Sequence, residues 1–264
     1  MQFAIGGVIE WLYYRRGREG AEAWKCQPRR WPTPAQRRSE ILLGAANMTV
    51  ASVLSGLFAF GVATGRLHTT IYFDRGPGIP QSIALTVAYF LATDLGLYSA
   101  HRWLHRPRLF RAIHRWHHKY TSPTPFTASA MHPAEFFLYQ SVMALPLFVL
   151  PIPLVGLVTV LLYQNYVALI DHSGVRLHSW LPWQPPTQFH DDHHVYFHVN
   201  YGQNLGLWDR LFGTWRRHGR RYGAEIFGGR GATISGARDG GFVDYGRRDR
   251  AAEVTPAAAS ERSS

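Results

Sequence analysis

Three long apolar segments, separated by basic and polar stretches, form the dominant pattern along the chain. The first runs from Ile41 to Gly65 without a charged residue, and the second runs from Gln81 to Ala100 with Asp94 as its one charge. Each reaches the roughly 20 residues that an α-helix needs to cross a bilayer. A soluble helical core rarely contains so long an uncharged run, so both segments are predicted to be membrane-spanning helices.

The third apolar segment, Phe136 to Ile170, is too long for a single crossing. As one helix it would measure about 52 Å, whereas the hydrocarbon core of a bilayer is about 30 Å thick. Pro146, Pro151 and Pro153 lie in this segment, and proline interrupts helices. We therefore expect a helical hairpin, or a re-entrant pair of helices, bent around these prolines. The short apolar stretch before Arg15 is expected to form an interfacial helix or the remnant of a longer span.

Charge and cysteine content narrow the classes of partner and ligand. The formal net charge is +11, and the basic residues flank apolar segments, as in the arginine-rich stretch 15–38. They do not form a nucleic-acid motif, so membrane lipids are the expected partner and nucleic acid is not. A single cysteine, Cys26, excludes an internal disulfide framework and a cysteine-based zinc site. Any metal ligands must therefore offer nitrogen or oxygen.

Histidine is concentrated in three short motifs. They read HRWLH, HRWHH and HDDHH, and they contribute the residues His101, His105, His114, His117, His118, His190, His193 and His194. Within each motif the spacings of three and four residues place the rings on one face of a helix. Eight neutral imidazoles suit divalent transition metals, and eight are too many for one tetrahedral zinc ion. The motifs therefore predict two metal ions, although imidazole suits iron, zinc and copper alike.

The arginines predict how the chain crosses the membrane. Cytoplasmic segments carry an excess of basic residues, which places the stretches 15–38 and 102–119 and the chain after Arg216 on the cytoplasmic face. Two crossings and the hairpin satisfy this arrangement and bring all three histidine motifs to the same face. We expect an all-α fold: a polytopic, multi-pass integral membrane bundle with a cytosolic, histidine-rich cap that holds two metals.

Three regions are predicted along the chain. Residues 1–40 form an N-terminal interfacial and basic segment, and residues 41–228 form the membrane-embedded catalytic domain. Residues 229–264 are rich in Gly, Arg, Ala and Ser and lack apolar periodicity. This composition predicts a disordered tail.

Three aspartates are candidates to support the histidines. A metal-bound imidazole normally donates its second N–H to a carboxylate or a carbonyl oxygen. Asp94, Asp191 and Asp192 are placed to accept such a hydrogen bond. Asp191 and Asp192 are equally consistent with solvated polar residues. A carboxylate within an apolar span, such as that of Asp94, is costly unless it has a partner.

The order of the motifs resembles that of a known family. After HRWLH and HRWHH come MHPAE at 131–135, DHSGV at 171–175, HDDHH, and finally NYGQNLGLWDRLFGTW. This succession, from about Ala88 to Trp215, resembles the fatty acid hydroxylase / sterol desaturase superfamily. The HPAE and HSG blocks look most like the sterol C4-methyl oxidase branch, and KCQPRRWPTPAQ at 25–36 is a weaker match to that branch.

The resemblance implies a non-haem di-iron membrane oxygenase with two Fe ions. It carries the eight histidines over as ligands and suggests His172 as a ninth. His132 would be a tenth ligand or a residue behind the ligands, with Glu135 one turn further on. The expected catalytic support therefore comprises Asp94, His132, Glu135 and Asp191. By contrast, the pattern does not require the remaining histidines, which are expected to be ordinary polar residues: His68, His178, His198 and His218.

The predicted activity is an O2-dependent monooxygenation of a C–H bond in a lipid from the bilayer, sterol-like or fatty acyl. Neither a haem-binding HPGG stretch nor a convincing nucleotide fingerprint occurs in the sequence. Electrons are therefore expected from a separate ferredoxin-like or cytochrome b5-like protein. A lipid desaturase would use the same metal site. From another class, a non-catalytic membrane protein that stores or transports metal remains an alternative.

Overall fold

The computed structural model describes residues 2–73, 76, 78–237 and 239–245, and these residues are mostly helical. The α-helices are α1 (Gln2–Ile9), α2 (Ala21–Trp24), α3 (Pro34–Ala63), α4 (Ile79–Leu104), α5 (Pro107–Leu109), α6 (Arg115–His118), α7 (Pro133–Ala144), α8 (Leu154–Asp171), α9 (Gln188–Tyr196) and α10 (Leu207–Phe212). Two π-helical turns (Glu10–Arg16, Phe110–His114) and three 3-10 turns (Arg18–Gly20, Thr127–Ser129, Leu145–Phe148) complete the helical elements. The short strands are β1 (Ile71–Tyr72), β2 (Ile152–Pro153), β3 (Arg220–Arg221) and β4 (Ala232–Thr233).

Within the described part of the chain, three helices are long and apolar enough to cross a membrane: α3, α4 and α8. Helix α3 begins with a capping box, in which the Thr33 hydroxyl accepts from the Gln36 amide and the Gln36 side chain accepts from the Thr33 amide. Pro34 follows at the first helical position, where proline is tolerated. The expected all-α membrane bundle is confirmed.

The third apolar segment folds as a helical hairpin, as predicted from its prolines. Helix α7 has 12 residues and is followed by the 3-10 turn, β2 and then α8. At about 1.5 Å per residue α7 is roughly 18 Å long, which is shorter than the hydrocarbon core of a bilayer. Strand β2 pairs in parallel with β1, so Ile152 lies beside Ile71 and fastens the hairpin turn to the α3–α4 connection.

Helix α4 lies at the centre of the bundle and packs against both arms of the hairpin. Gly96 of α4 faces Val142 of α7, and Gly156 of α8 faces Thr86 of α4, so small residues let the helices approach closely. Gln164 of α8 donates to the Thr93 hydroxyl of α4 over 2.9 Å. The carboxyl ends of α4 and α8 consequently meet at one end of the bundle, which is the end that carries the histidines.

Helix α3 holds the loop that follows α6. The Glu40 carboxylate accepts from the hydroxyls of Thr124 and Thr127, at 2.9 Å and 2.8 Å. About two turns further along α3, the Asn47 side-chain amide donates to the carbonyls of Ser129 and Met131. All of these groups are buried. This loop reaches the histidine end of the bundle and places the Ala130 carbonyl beside His117.

The chain after residue 228 differs from the predicted disordered tail. Strand β4 pairs antiparallel with β3, and Asp239 forms ion pairs with Arg217 and Arg220. The Tyr245 hydroxyl donates to the Asp192 carboxylate over 2.6 Å. Residues 229–237 and 239–245 are held by strand pairing and by individual side-chain contacts. Contacts of this kind do not require an apolar periodicity, so the sequence pattern did not indicate them. The remainder of the predicted tail, residues 246–264, lies outside the described residues.

Candidate metal centre

Nine buried histidines form two groups at the carboxyl ends of α4 and α8. Within each group, one ligand atom of every ring lies within 4.8 Å of the others. Group one contains His101, His105, His114, His118 and His193. Group two contains His117, His172, His190 and His194. The structure thus brings together all nine histidines that the sequence and the family resemblance proposed as ligands.

Each H-x-x-H-H motif is divided between the two groups. His193 of α9 belongs to group one, whereas His190 and His194 belong to group two. In the earlier motif, His117 alone enters group two. Neighbouring positions on a helix point about 100° apart, so adjacent histidines such as 193 and 194 reach different sites. The motif therefore links the two histidine groups.

The two groups adjoin each other. The ring centroids of His118 and His194 are 5.0 Å apart, and those of His190 and His193 are 5.1 Å apart. Both pairs join a ring of group one to a ring of group two. Two ions held by these groups would therefore be close neighbours in one buried volume.

The nitrogen atoms of group one fit a metal ion. The Nε2 atoms of His101, His105 and His193 are buried and have no hydrogen-bond partner among the described residues. An unpaired buried polar atom is costly unless something satisfies it. Three such atoms within one group provide the lone pairs that a transition metal requires.

The nitrogen atoms of group two converge in the same way. The Nε2 atom of His172 lies 3.1 Å from Nε2 of His117 and 2.9 Å from Nε2 of His190. Both ring nitrogens of His194 are buried without a partner among the described residues. The donor set is all imidazole, which suits iron, zinc or copper.

Hydrogen bonds to the second nitrogen orient several of the rings. The donor and acceptor pairs are His101 Nδ1 to Tyr201 O (2.8 Å), His193 Nδ1 to Val199 O (2.6 Å), His172 Nδ1 to Ala168 O (2.7 Å) and His114 Nδ1 to Glu135 Oε1 (2.7 Å). Each oxygen fixes the hydrogen on Nδ1 and leaves the Nε2 lone pair for a metal.

A strained turn after α9 supplies two of these acceptors. Phe197 has φ 64° and ψ −75°, and the His198 amide donates to the Tyr196 carbonyl, which defines a γ-turn of the rare, strained form. Beyond the turn, Asp209 accepts from the amides of Tyr201 and Gly202 at 2.8 Å and 2.6 Å. The turn and this carboxylate together aim the carbonyls of residues 199 and 201 at the histidines.

His198 is a supporting residue that the sequence analysis missed. It is fully buried, its Nδ1 lies 2.8 Å from Nδ1 of His105, and its Nε2 lies 2.6 Å from the Ala224 carbonyl. The carbonyl can only accept, so Nε2 of His198 carries the hydrogen and its Nδ1 accepts from His105. His105 is thereby held with its Nε2 lone pair in group one. Position 198 lies four residues after His194, but α9 ends at Tyr196, so helical spacing does not place these two rings on one face.

Replacing His198 with alanine should lower metal affinity and activity about 10- to 100-fold, because support of this kind is worth that much in other metal sites. His198→Asn should restore part of both, since its side-chain oxygen can accept from His105. Metal content per chain after dialysis against a chelator measures the effect. The exposed His178, replaced by alanine, is the control. Wild-type metal retention in His198→Ala would contradict this role.

Burial keeps the imidazoles in the form that binds metal. It lowers the pKa of His172 to about 4, and it lowers the pKa values of His105 and His117 well below the ordinary value, with neighbouring histidines adding to the effect. The cost of burying a charge is the cause. The rings are therefore neutral at physiological pH, as metal ligation requires.

Of the carboxylates predicted to support the ligands, Glu135 is the one found on a histidine ring, that of His114. Asp94 instead accepts from the Asn204 side chain at 2.9 Å and from the Trp208 indole at 2.7 Å. The prediction that Asp94 orients a ligand therefore needs correction. These two hydrogen bonds, one from the loop before α10 and one from α10 itself, compensate for the burial of the Asp94 carboxylate within α4.

His132 and Asp191 also differ from their predicted places. The His132 ring accepts from the Ala134 amide at 3.1 Å and so caps α7, since it precedes Pro133 at the first helical position. It belongs to neither histidine group. Asp191 accepts from the Gln27 side chain at 3.1 Å, and burial raises its pKa to about 7. Within the described residues, neither side chain forms a hydrogen bond with a ring of the two histidine groups.

Residues 86–214 of the chain match the sequence model of the Fatty acid hydroxylase family. All nine histidines lie within that stretch. Residues 86–214 therefore form a domain of the fatty acid hydroxylase / sterol desaturase superfamily. No solved structure matches this chain.

Curated relatives of this superfamily member include fungal sterol desaturases. The chain is 38% identical over 153 residues to the Delta(7)-sterol 5(6)-desaturase ERG3 of Saccharomyces cerevisiae, which covers 57% of this chain and 42% of that protein. It is 31% identical over 189 residues to the Delta(7)-sterol 5(6)-desaturase of Leptosphaeria maculans, which covers 70% of this chain and 52% of that protein. The chain thus spans about half the length of these relatives. A specific kinship with sterol C4-methyl oxidases stays a prediction.

Proposed function

We propose that this protein is a membrane-bound, O2-dependent di-iron oxidase that hydroxylates a C–H bond of a lipid. The observation that carries the proposal is the pair of adjoining histidine groups with unpaired, buried nitrogen atoms at the end of an apolar bundle. A lipid substrate, sterol-like or fatty acyl, suits a site at the end of membrane-spanning helices. The relatives' names, which specify sterols, support the same class of substrate.

Two iron ions would be held by group one and group two respectively. Bound iron supplies the activation of O2 that an organic side chain cannot provide. The chain itself contributes the geometry, because carbonyls and Glu135 hold the rings, and it contributes the exclusion of water, because all nine rings are buried. The all-nitrogen donor set distinguishes this centre from soluble di-iron bundles, which rely on glutamates.

The overall reaction consumes one O2, two electrons and two protons. Hydroxylation places one oxygen atom in the lipid and releases one water molecule, whereas desaturation removes two hydrogen atoms and releases two water molecules. The electrons would come from a separate ferredoxin-like or cytochrome b5-like protein. The centre would face the cytoplasm, because the arginine-rich stretches lie at its end of the bundle.

Desaturation is the second candidate, and the names of the relatives favour it. A metal-storage or transport protein would need neither O2 nor electrons. Lipid mass spectrometry on cells with and without the gene, grown under ¹⁸O2, separates the three. We expect lipids that gain one labelled oxygen atom only when the wild-type gene is present.

Each contrary result has a defined meaning. Lipids that lose two hydrogen atoms without gaining label would establish the desaturase. A third result would indicate a non-catalytic metal-binding protein. In that case the lipids stay unchanged, and metal-loaded protein consumes no O2 when a chemical reductant and membrane lipids are supplied. The exposed His218, replaced by alanine, should behave as wild type in every measurement.

A further inference from the structure

A cavity beside the carboxyl end of α4 reaches the metal centre. It has a volume of about 760 Å³, and its walls include Tyr98, Trp103, Tyr201, Phe212 and Phe227. His105 of group one also lines it. A molecule in this aromatic cavity would therefore lie beside a residue of the candidate metal centre. The aromatic side chains suit an apolar chain, and Arg102 and Arg106 add basic groups to the same walls.

A second cavity, the arginine groove, adjoins the first. Its volume is about 570 Å³, and it shares Arg102 and Phe212 with the aromatic cavity. The arginines that line it are Arg102, Arg210, Arg217, Arg220 and Arg230. None of its lining residues is acidic. Together the two adjoining cavities, here called the cleft, offer aromatic side chains on one side and mainly arginines on the other.

The charge of the arginine groove is only partly compensated. Asp239 forms ion pairs with Arg217 and Arg220. For Arg102, Arg210 and Arg230, no ion pair occurs within the described ranges. Arginine binds carboxylates and phosphates through paired, charge-assisted hydrogen bonds. The groove therefore offers a site for an anion.

The surroundings of the cleft are apolar and exposed. Trp103 is 48% exposed, Leu207 52% and Leu211 66%. These residues lie on α4 and α10, next to arginines 102 and 210, and such a mixture of aromatic, aliphatic and basic side chains is typical of the membrane–water boundary. The surroundings of the cleft therefore suit contact with both the head group and the chain of a lipid.

We propose that this cleft binds a lipid with an anionic head group, a carboxylate, phosphate or sulfate ester, with the head in the arginine groove and the chain in the aromatic cavity. The assignment deepens the proposed lipid oxidation and rests on it for the chain's approach to the metal centre. Carbon atoms of a chain lying in the aromatic cavity come within reach of His105. The arginines would then select which lipids present a C–H bond to the centre.

An acidic electron-transfer protein is the competing occupant of the arginines. A specific protein interface commonly buries about 800 Å² on each partner over a broad surface. Here the basic residues instead line a concave groove that opens into an aromatic cavity. The shape and the change from basic to apolar walls favour an amphiphilic lipid.

Quenching of tryptophan fluorescence by a brominated lipid tests the proposal without any turnover. The full-length chain in phosphatidylcholine nanodiscs is titrated with 9,10-dibromostearic acid and, separately, with its methyl ester. We expect the acid to quench at about tenfold lower concentration than the ester, because only the acid forms charge-assisted hydrogen bonds with arginine. Trp103→Phe should remove the saturable part of the signal.

Matched variants identify the head-group site. The double variant Arg210→Gln with Arg230→Gln should reduce the preference for the acid to about threefold or less. Arg29→Gln, which removes an exposed charge outside the groove, should keep it. An unchanged preference in the double variant, or an unchanged signal in Trp103→Phe, would overturn the proposal.

Two further arms separate the other sources of an anion. Displacement of the bromolipid by an equal concentration of inorganic phosphate would overturn the proposal and assign the groove to a free anion. Slower reduction by an acidic donor in the double variant, with quenching unchanged, would overturn it in favour of protein docking. Quenching needs no catalysis. The binding result can therefore be interpreted even if the proposed oxidation is not found, and the oxidation can be measured even if the cleft does not bind the bromolipid.

Discussion

His193→Ala should remove about one of two bound metal ions and reduce lipid oxidation by at least about 100-fold, since loss of a direct ligand exceeds the 10- to 100-fold cost of losing a supporting residue. The His193 Nε2 atom is buried and unpaired among the described residues, and its Nδ1 is held by the Val199 carbonyl. Alanine leaves group one with four rings and opens a cavity where the imidazole was. Metal analysis of the purified protein and lipid product formation measure the two effects.

His117→Ala should deplete the other ion, because His117 belongs to group two. The two variants together distinguish paired sites from a single site that shares all nine rings. His218→Ala is the matched control, since His218 is exposed and belongs to neither group. Equal metal content and activity in all three variants would refute the assignment of ligands. Loss of both ions in each single variant would instead show that the two sites fill only together.

Removing the metal should make the protein sensitive to acid between about pH 6.5 and pH 5. Unfolded histidines titrate near pH 6.5. Burial depresses the folded pKa values well below that value for His114, His118, His190 and His194, with repulsion between neighbouring rings adding to the shift. Below pH 6.5 the unfolded state therefore binds more protons, so the free energy of unfolding falls as the pH falls.

The expected slope is large. Each such histidine contributes up to about 1.4 kcal/mol per pH unit, and four of them approach the whole stability of a typical domain, about 5 to 15 kcal/mol. Buried carboxyls act in the opposite direction: burial raises the pKa of Asp191 to about 7 and that of Asp209 to about 6, and it also raises the pKa values of Asp192 and Glu135. Their folded forms bind protons first, which stabilises the fold on acidification, so the net slope is smaller than the histidines alone would give.

Thermal unfolding of metal-free protein at pH 7.5, 6.5 and 5.5 measures this effect. We expect the midpoint to drop from pH 6.5 to pH 5.5, where unfolded histidines take up protons. The metal-loaded protein should lie above the metal-free protein at pH 7.5, because a ligand that binds only the folded state stabilises it. A midpoint that is independent of pH in the metal-free protein would show that the histidines are not buried as neutral rings.

Much of the centre was predictable from residues alone. The spacings of three and four residues on helices identified eight of the nine grouped histidines, and the family resemblance added His172. Uncharged length identified the spans, and the prolines within 136–170 identified the hairpin. These features are local, because each depends on helical periodicity or on the thickness of a bilayer.

The misplaced predictions concern partners that are distant in the sequence. Asp94 was expected behind a ligand, yet its partners are Asn204 and Trp208, which approach it only after α10 folds against α4. His198 was expected to be an ordinary polar residue, yet it supports His105 because Ala224 fixes its tautomer. Residues 229–237 and 239–245 were predicted to be disordered because the contacts that hold them, such as that of Asp239 with Arg220, form no periodic pattern in the sequence.

The sequence by itself determined the helical membrane bundle, the histidine ligand types and the end of the bundle where they gather. Only the tertiary structure decided which ring enters which group, which carbonyl orients each ring, and that an aromatic cavity and a basic groove meet beside His105. The physical reason is the distance along the chain over which each effect acts. Periodicity and apolar length act over a few turns of helix, whereas the division of H-x-x-H-H between two groups depends on how four separate helices pack.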